Sequence, residues 1–352
     1  HLRVAVLVKA GRLGDEAESG LVWVYAYDGF VWEPLGGSPL AQPTPTIGDR
    51  FGADVEWVSD TVLAIGAPGA AADRGNVFIA EYELGLGTWS YSDLFTVLDF
   101  FGTEPDTGDE FGYAVGYDDS AAGVGALIVG SPGFDQSFPS EMDNGAAYRF
   151  SGAGSTFGYA GSRGFLPGRR VGTSVDVSGD RYVVGGFGSG SFEVNAYAVS
   201  GTDLGGRFVT GDVPGVGDGQ VNDYLALDGD VLAVGRGGNG GGVSAYIVGE
   251  TWPAGPAITV EPTGREAGDR VGWALALDNG ELTMGAPGDD GAITQFFDSG
   301  VVYTYRLDPV TATFIDPTLH APWNDPANWD GGVVPSTGDA AIVPAGMYPE
   351  IG

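Results

Sequence analysis

Cysteine is absent from this 352-residue chain, histidine occurs 2 times, methionine 3 times and lysine once, at Lys9. Without thiols there is no disulfide, no thiolate nucleophile and no cysteine-ligated zinc. The absence leaves the compartment open, because large exported β proteins can dispense with disulfides. His1 and His320 stand far apart, and no nucleophile motif lies near His320, so no Ser-His-Asp constellation can be assembled. There is no run of 18 apolar residues, and the first residues do not read as a basic-then-apolar leader. Cations are scarce as well: 15 Lys and Arg against 47 Asp and Glu give a formal charge of −32 and a pI near 4.1. Such a chain repels phosphate backbones and anionic bilayers, which excludes nucleic acid as a partner and argues against membrane insertion. The acidity suits salty water or a cell surface, and biased genome composition accounts for it equally well.

Glycine is what the chain has in excess, with 63 of 352 residues or about 18%, against a usual share of roughly 7%. A residue without a side chain breaks helices and supplies tight turns. The glycines have no collagen-like period, and 12% aromatic content is too high for a disordered linker. The composition therefore points to an all-β protein of many short strands.

An internal repeat organises these strands. Each unit opens on a Phe-Gly-like pair: Asp49-Arg50-Phe51-Gly52, Asp109-Glu110-Phe111-Gly112, Arg170-Val171-Gly172 and Asp269-Arg270-Val271-Gly272, with a weaker copy at Gly219-Gln220-Val221-Asn222. The starts at 51, 111, 171, 221 and 271 span 220 residues in four steps, a mean period of 55. An apolar run ending in a glycine turn follows each start, clearest in Leu63-Ala64-Ile65-Gly66-Ala67-Pro68-Gly69, Leu127-Ile128-Val129-Gly130-Ser131-Pro132-Gly133 and Leu282-Thr283-Met284-Gly285-Ala286-Pro287-Gly288. A third run alternates with period two, as in Val301-Val302-Tyr303-Thr304-Tyr305, and a looser fourth often carries Trp or Phe. Four short strands per repeat of this length describe a propeller blade. Residues 2–8, 20–27 and 30–35 read as the second, third and fourth strands of a unit whose first strand is missing. The expectation is an all-β propeller of about six four-stranded blades, the first incomplete, over residues 1–320.

These motifs resemble the FG-GAP repeat, the blade unit of the integrin α-subunit propeller and of many bacterial exported proteins. The resemblance implies an extracellular or cell-surface propeller serving adhesion or the binding of proteins and glycans. It also implies that any catalytic residues would come from added domains. Many FG-GAP blades hold calcium in a D-x-[DN]-x-D-G loop between the first two strands, and calcium needs six to eight oxygens. This chain departs from that pattern: Ser59-Asp60, Ser178-Gly179-Asp180, Asp228-Gly229-Asp230 and Asp278-Asn279-Gly280 are tight hairpin turns, and the longer loop from Asp118-Asp119 has too few carboxylates. The remaining candidate calcium ligands are Asp289, Asp290 and Asp298, for which a solvated acidic turn is the competing reading; no cofactor is required for folding.

From Ala321 the pattern changes, with Trp323, Trp329 and the strand-like Ala340-Ala341-Ile342-Val343. Residues 321–352 read as a tail or as the start of a following surface-protein module. The strand-like stretch could complete the first blade, of its own chain or of the next copy, the second arrangement building a homopolymeric filament. Phe134, Phe138, Phe187, Phe296 and Phe297 follow the glycine turns of several blades and are candidate ligand-binding aromatics, with inter-blade packing as the alternative. The functional expectation is a non-catalytic extracellular propeller that binds surface proteins or glycans. A self-associating filament subunit and a polysaccharide hydrolase or lyase are the other readings.

Overall fold

The computed structural model describes residues 3–9, 19–93, 106–119, 125–135, 144–164, 170–188, 191–200, 203–210, 224–236, 241–247, 256, 258–262, 266, 268–289, 300–307, 311–313 and 340–342. The chain divides into two compact units, His1–Leu277 with Thr283–Tyr303, and Asp278–Leu282 with Thr304–Gly352. The expected boundary at 320 lies outside the described residues.

Six sheets follow one another along the described chain, each built from consecutive strands and the first five antiparallel. The first holds β1 (Arg3–Lys9), β2 (Leu21–Tyr27) and β3 (Trp32–Pro34), the three strands expected of an incomplete blade. Four full blades come next. They are β4 (Val55–Ser59), β5 (Val62–Ala67), β6 (Asn76–Glu83) and β7 (Thr88–Asp93), then β8 (Val115–Asp118), β9 (Gly125–Ser131), β10 (Ala146–Ala153) and β11 (Thr156–Gly164). The fourth sheet is β12 (Val171–Ser178), β13 (Arg181–Gly188), β14 (Ser191–Ala198) and β15 (Asp203–Thr210). The fifth is β16 (Leu225–Asp228), β17 (Val231–Gly235), β18 (Val243–Ile247) and β19 (Ile258–Val260). The sixth pairs β20 (Ala274–Asp278), β21 (Glu281–Ala286) and β22 (Val301–Arg306). The sheets take up a β-propeller arrangement in which the first strands of neighbouring blades meet, β4 on β8, β8 on β12 and β12 on β16.

One expectation is corrected. The strand at the C-terminal end, β24 (Ala340–Ile342), pairs in parallel with β23 (Thr311–Thr313) and not with the first sheet. Both strands belong to the second unit.

Period-two alternation explains how the blades stack. On β5 and β6, Val62, Ala64, Val77 and Ile79 pack towards the third sheet with Phe111, Leu127, Val129, Tyr148 and Phe150. The intervening Leu63, Ile65, Phe78 and Ala80 pack the other way, with Val22, Val24 and Leu40 of the first sheet's region. Each blade thus buries both faces, which is why its second strand reads as a continuous apolar run; β5 and β9 are buried at every residue.

The Phe-Gly starts are the joints between blades. The residue before each aromatic or valine adopts a left-handed conformation, at Arg50, Glu110, Arg170 and Arg270, and the glycine after it has positive φ, at Gly52, Gly112, Gly172 and Gly272. This double kink turns the chain from the outer strand of one blade into the next, and isolated parallel bridges Gly75–Phe111, Gly145–Val171 and Gly241–Val271 fasten it. The glycines that end the second-strand runs permit the approach: a Cβ at Gly66, Gly130 or Gly235 would collide with the carbonyl of Gly112, Gly172 or Gly272 of the next blade. The acidic residue of the start is buried and folds its own turn. Asp109 accepts from the Asp106 N–H at 2.7 Å, Asp269 from the Glu266 N–H at 2.5 Å, and Asp49 from the Thr46 N–H and hydroxyl, both at 2.5 Å.

The left-handed residues also carry charge from blade to blade. Glu110 receives Arg50 of the preceding start on Oε1 at 2.7 Å and Arg170 of the following start on Oε2 at 2.5 Å. Arg170 is thereby tied to the start one repeat upstream.

Candidate functional site

The first strands carry polar groups towards one another, and their hairpin ends open a pocket. Along β4 and β12, Asp54, Glu56 and Asp176 are partly buried carboxylates with no cation among their determining neighbours. Asp54 accepts from the N–H of Val115 in the next blade at 2.7 Å, and Asp176 likewise from Leu227 at 2.6 Å. These acceptors satisfy N–H groups that the first strand of a blade presents away from its own sheet. The cost is electrostatic: burial raises Asp54 to about 6 and Asp176 to about 7. Burial, with the charges of Asp176 and Asp54, raises Glu56 to about 8. At neutral pH the three do not all ionise together.

Further along the same strands, the hairpin ends are tied by a second repeat of inter-blade bonds. Asp118 accepts from the Gly179 N–H at 2.8 Å, and the Ser178 hydroxyl accepts from the Gly229 N–H at 2.9 Å. Beside the first of these ties lies a pocket of about 410 Å³ lined by Trp57, Val58, Ser59, Asp60, Tyr117, Asp118 and Asp119. Val58 is core, Trp57 and Tyr117 are half-buried, and Ser59, Asp60 and Asp119 are exposed. Two features shape it. A register shift between Trp57 and Ser59 in the β4–β5 ladder re-aims the end of β4. Tyr117 is held edge-on to Phe157, 5.9 Å between centroids, and crosses Gly125, where a Cβ would collide with its hydroxyl. Burial and the adjacent charges of Asp119 and Asp118 raise the Tyr117 phenol, so it stays a neutral hydrogen-bond donor.

Of the aromatics singled out from sequence, Phe134 and Phe187 fall among the described residues. Phe134 is buried in the core between the second and third sheets, against Tyr148 at 6.5 Å, and so packs blades together instead of facing solvent. Phe187 is partly buried against Phe192 and Tyr224, at 4.8 and 5.5 Å. Phe138, Phe296 and Phe297 lie outside the described residues. Of the calcium candidates, Asp290 and Asp298 lie outside the described residues, and Asp289 is buried with the Tyr303 hydroxyl donating to it. Among the described residues no group of three or more Asp, Glu or His side chains is placed to hold a metal ion. The hairpins also do not fit the FG-GAP calcium loop: Gly179 and Gly229 stand in two-residue turns, and Asp180 and Asp230 are engaged by Arg181.

Sequence reading passes over Trp57 and Tyr117, yet a signal exists. Five residues after the glycine of each start stand Trp57, Tyr117, Val177 and Leu277. Two successive repeats carry an aromatic where the others carry an aliphatic residue, and the pocket lies at those two.

The chain matches no protein-family model and no curated protein. Among solved structures it is similar to the Dos1 propeller, at 11% identity and a TM-score of 0.46 over 85% of this chain and 71% of that one. It is also similar to a mutant of Aleuria aurantia lectin in complex with alpha-methyl-L-fucoside, at 11% identity and a TM-score of 0.42 over 88% of this chain and 97% of that one. The class defined by the sheets is the β-propeller; at these scores neither neighbour says what this chain binds.

Proposed function

We propose that this chain is a non-catalytic, glycan-binding propeller of the FG-GAP type, working at a cell surface through the pocket at Trp57 and Tyr117. The observation that carries the reading is the make-up of that pocket. Two aromatic side chains supply apolar faces of the kind that stack on sugar C–H groups, and carboxylates, a serine hydroxyl and a phenol supply hydrogen bonds at its edge. Two of the perturbed acids, Asp54 and Asp176, have a structural task in holding blade to blade, which accounts for their burial without a catalytic role. The Phe-Gly joints at Phe51-Gly52 and Phe111-Gly112 support the family assignment.

The test is binding of the purified chain to an array of immobilised oligosaccharides, beside Trp57→Ala and Tyr117→Ala. The reading expects retention of the parent chain on a subset of glycans and loss of it in both variants. Retention unchanged in the variants, or cleavage of a bound polysaccharide, would overturn it.

A further inference from the structure

Each blade of this repeat has two unlike faces, one packed on the preceding blade and one on the following blade. The third strand of a blade follows a positive-φ glycine, at Gly20, Gly75, Gly145, Gly241 and Gly300. Two residues further on, Val22, Val77, Ala147 and Val243 are at most 2% exposed. The first three of these pack towards the following blade. Val302 holds the same position in the sixth sheet and is 69% exposed. Ala274 and Ala276 of β20 are exposed as well, while Leu275 between them is buried. The glycine near the end of the second strand points the same way. A Cβ at Gly66, Gly130 or Gly235 would lie 2.1, 2.0 or 2.2 Å from a carbonyl of the next blade. At Gly285 it would meet nothing nearer than Ala274 of its own sheet, at 3.7 Å. Gly285 thus keeps the clearance that a following blade requires, and no blade uses it.

The first sheet leaves the opposite face uncovered. Three residues after their glycines, Phe78 and Tyr148 are 9% and 1% exposed, and five residues after, Ala80 and Phe150 are equally buried. All four pack on the preceding blade. Trp23 and Tyr25 hold these positions in β2, stacked at 6.4 Å, and both are only half-buried. Tyr27 extends the row against Trp32, 5.0 Å between centroids, and Trp32 is 49% exposed.

We infer that the chain self-associates head to tail, the aromatic face of the first sheet in one copy seating on the Val302 and Gly285 face of the sixth sheet in another. The occupant follows from continuity with an interface that the chain already builds between its own successive blades: these surfaces are its two halves. Because the halves differ, the contact is heterologous and adds copies in series. It uses sheet faces, not strand edges, so the pairing of β24 with β23 does not stand in its way. Each copy carries a charge of −32, so like-charge repulsion opposes the contact. Association therefore strengthens as salt screens that repulsion, the reverse of a contact made by ion pairs. The inference is independent of the glycan-binding reading.

Light scattering over a range of protein concentration, in dilute buffer and in about 1 M salt where the Debye length is about 3 Å, tests it. The expected result in high salt is a mass that climbs with concentration from 36.1 kDa to more than twice that value. In dilute buffer the climb is smaller. Gly285→Ala adds a methyl group with ordinary contacts inside one copy, so it keeps the parent's melting temperature and loses the growth. Val302→Arg does the same from an exposed position. Tyr25→Arg blocks the other face. Mixed with Val302→Arg it forms a complex of two copies, although neither variant associates alone, because each retains the half that the other lacks. A mass fixed at 36.1 kDa in both buffers would overturn the inference. Growth untouched by Gly285→Ala and Val302→Arg would do so too, and these two variants decide the matter if Tyr25→Arg does not fold. No complex between the two folded variants would overturn the head-to-tail arrangement.

Discussion

Replacing Glu56 by glutamine should stabilise the protein in alkali and change little in acid. Glu56 is raised from 4.5 to about 8 by burial and by the nearby carboxylates Asp176 and Asp54. A carboxylate whose folded value lies above its unfolded one binds more protons in the folded state between those values. Stability is therefore fullest below the unfolded value and is lost as pH rises through the folded one. From pH 5 to pH 8 the loss is at most ~4 kcal/mol, three pH units at about 1.4 kcal/mol each. Because Asp54 and Asp176 relax when Glu56 ionises, about half of that, ~2 kcal/mol, is the working figure. Glutamine keeps the size and can still accept from the Trp57 N–H, but it has no charge to desolvate. The variant should melt on the order of 5 °C higher than the parent at pH 9 and within a degree or so of it at pH 5. Paired thermal melts by circular dichroism at the two pH values measure this directly, and the general repulsion of an acidic chain cancels in the comparison. An equal shift at both pH values, or destabilisation at pH 9, would refute the assignment of a buried, mutually repelling group.

Other consequences follow from the blade joints. Glu110→Gln removes the ionic link to Arg50 and Arg170; since those side chains are 29% and 36% exposed, the loss in chemical denaturation should be ~1 kcal/mol and should vanish in molar salt. Gly66→Ala drives a methyl group into the Gly112 carbonyl of the next blade and should cost at least ~3 kcal/mol or prevent folding. Gly179→Ala, by contrast, suffers a positive φ, of 59°, but meets open space, so it should cost only ~1 kcal/mol. Phe111→Ala opens a cavity beneath Tyr148 and Phe150, whose rings lie 5.1 and 6.2 Å away, and should lose ~3–5 kcal/mol in urea titrations.

The propeller was legible because its repeat is written in residues with little conformational choice. The glycines of the Phe-Gly starts and of the second-strand runs mark a kink and a close approach that no other residue tolerates, so their spacing survives where side chains drift. Even the incomplete first sheet could be read from residues 2–35. The site was less legible, for two reasons. Phe134 follows a glycine turn just as a surface aromatic would, and only the packing of the third sheet shows its ring under Tyr148. Trp57 and Tyr117 sit on strands 60 residues apart, and a pocket between them depends on which first strands are neighbours and on the irregularity at Trp57, neither of which is a local property. Asp54 and Asp176 were hidden among 47 acids, since their distinction lies in reaching across to Val115 and Leu227 of the following blade. The pairing of β24 with β23 was likewise unreadable, because a three-residue strand carries no pattern that selects its partner.

The most direct test of the binding account is hydroxyl-radical footprinting with mass spectrometry, on the chain alone and saturated with an oligosaccharide that the array retains. The account predicts that oxidation falls at Trp57 and Tyr117 and is unchanged at Phe30 and Trp32, exposed aromatics of the first sheet's region at 89% and 49% accessibility. Protection at Phe30 and Trp32 with Trp57 and Tyr117 unaltered would contradict it and move the ligand to a different blade.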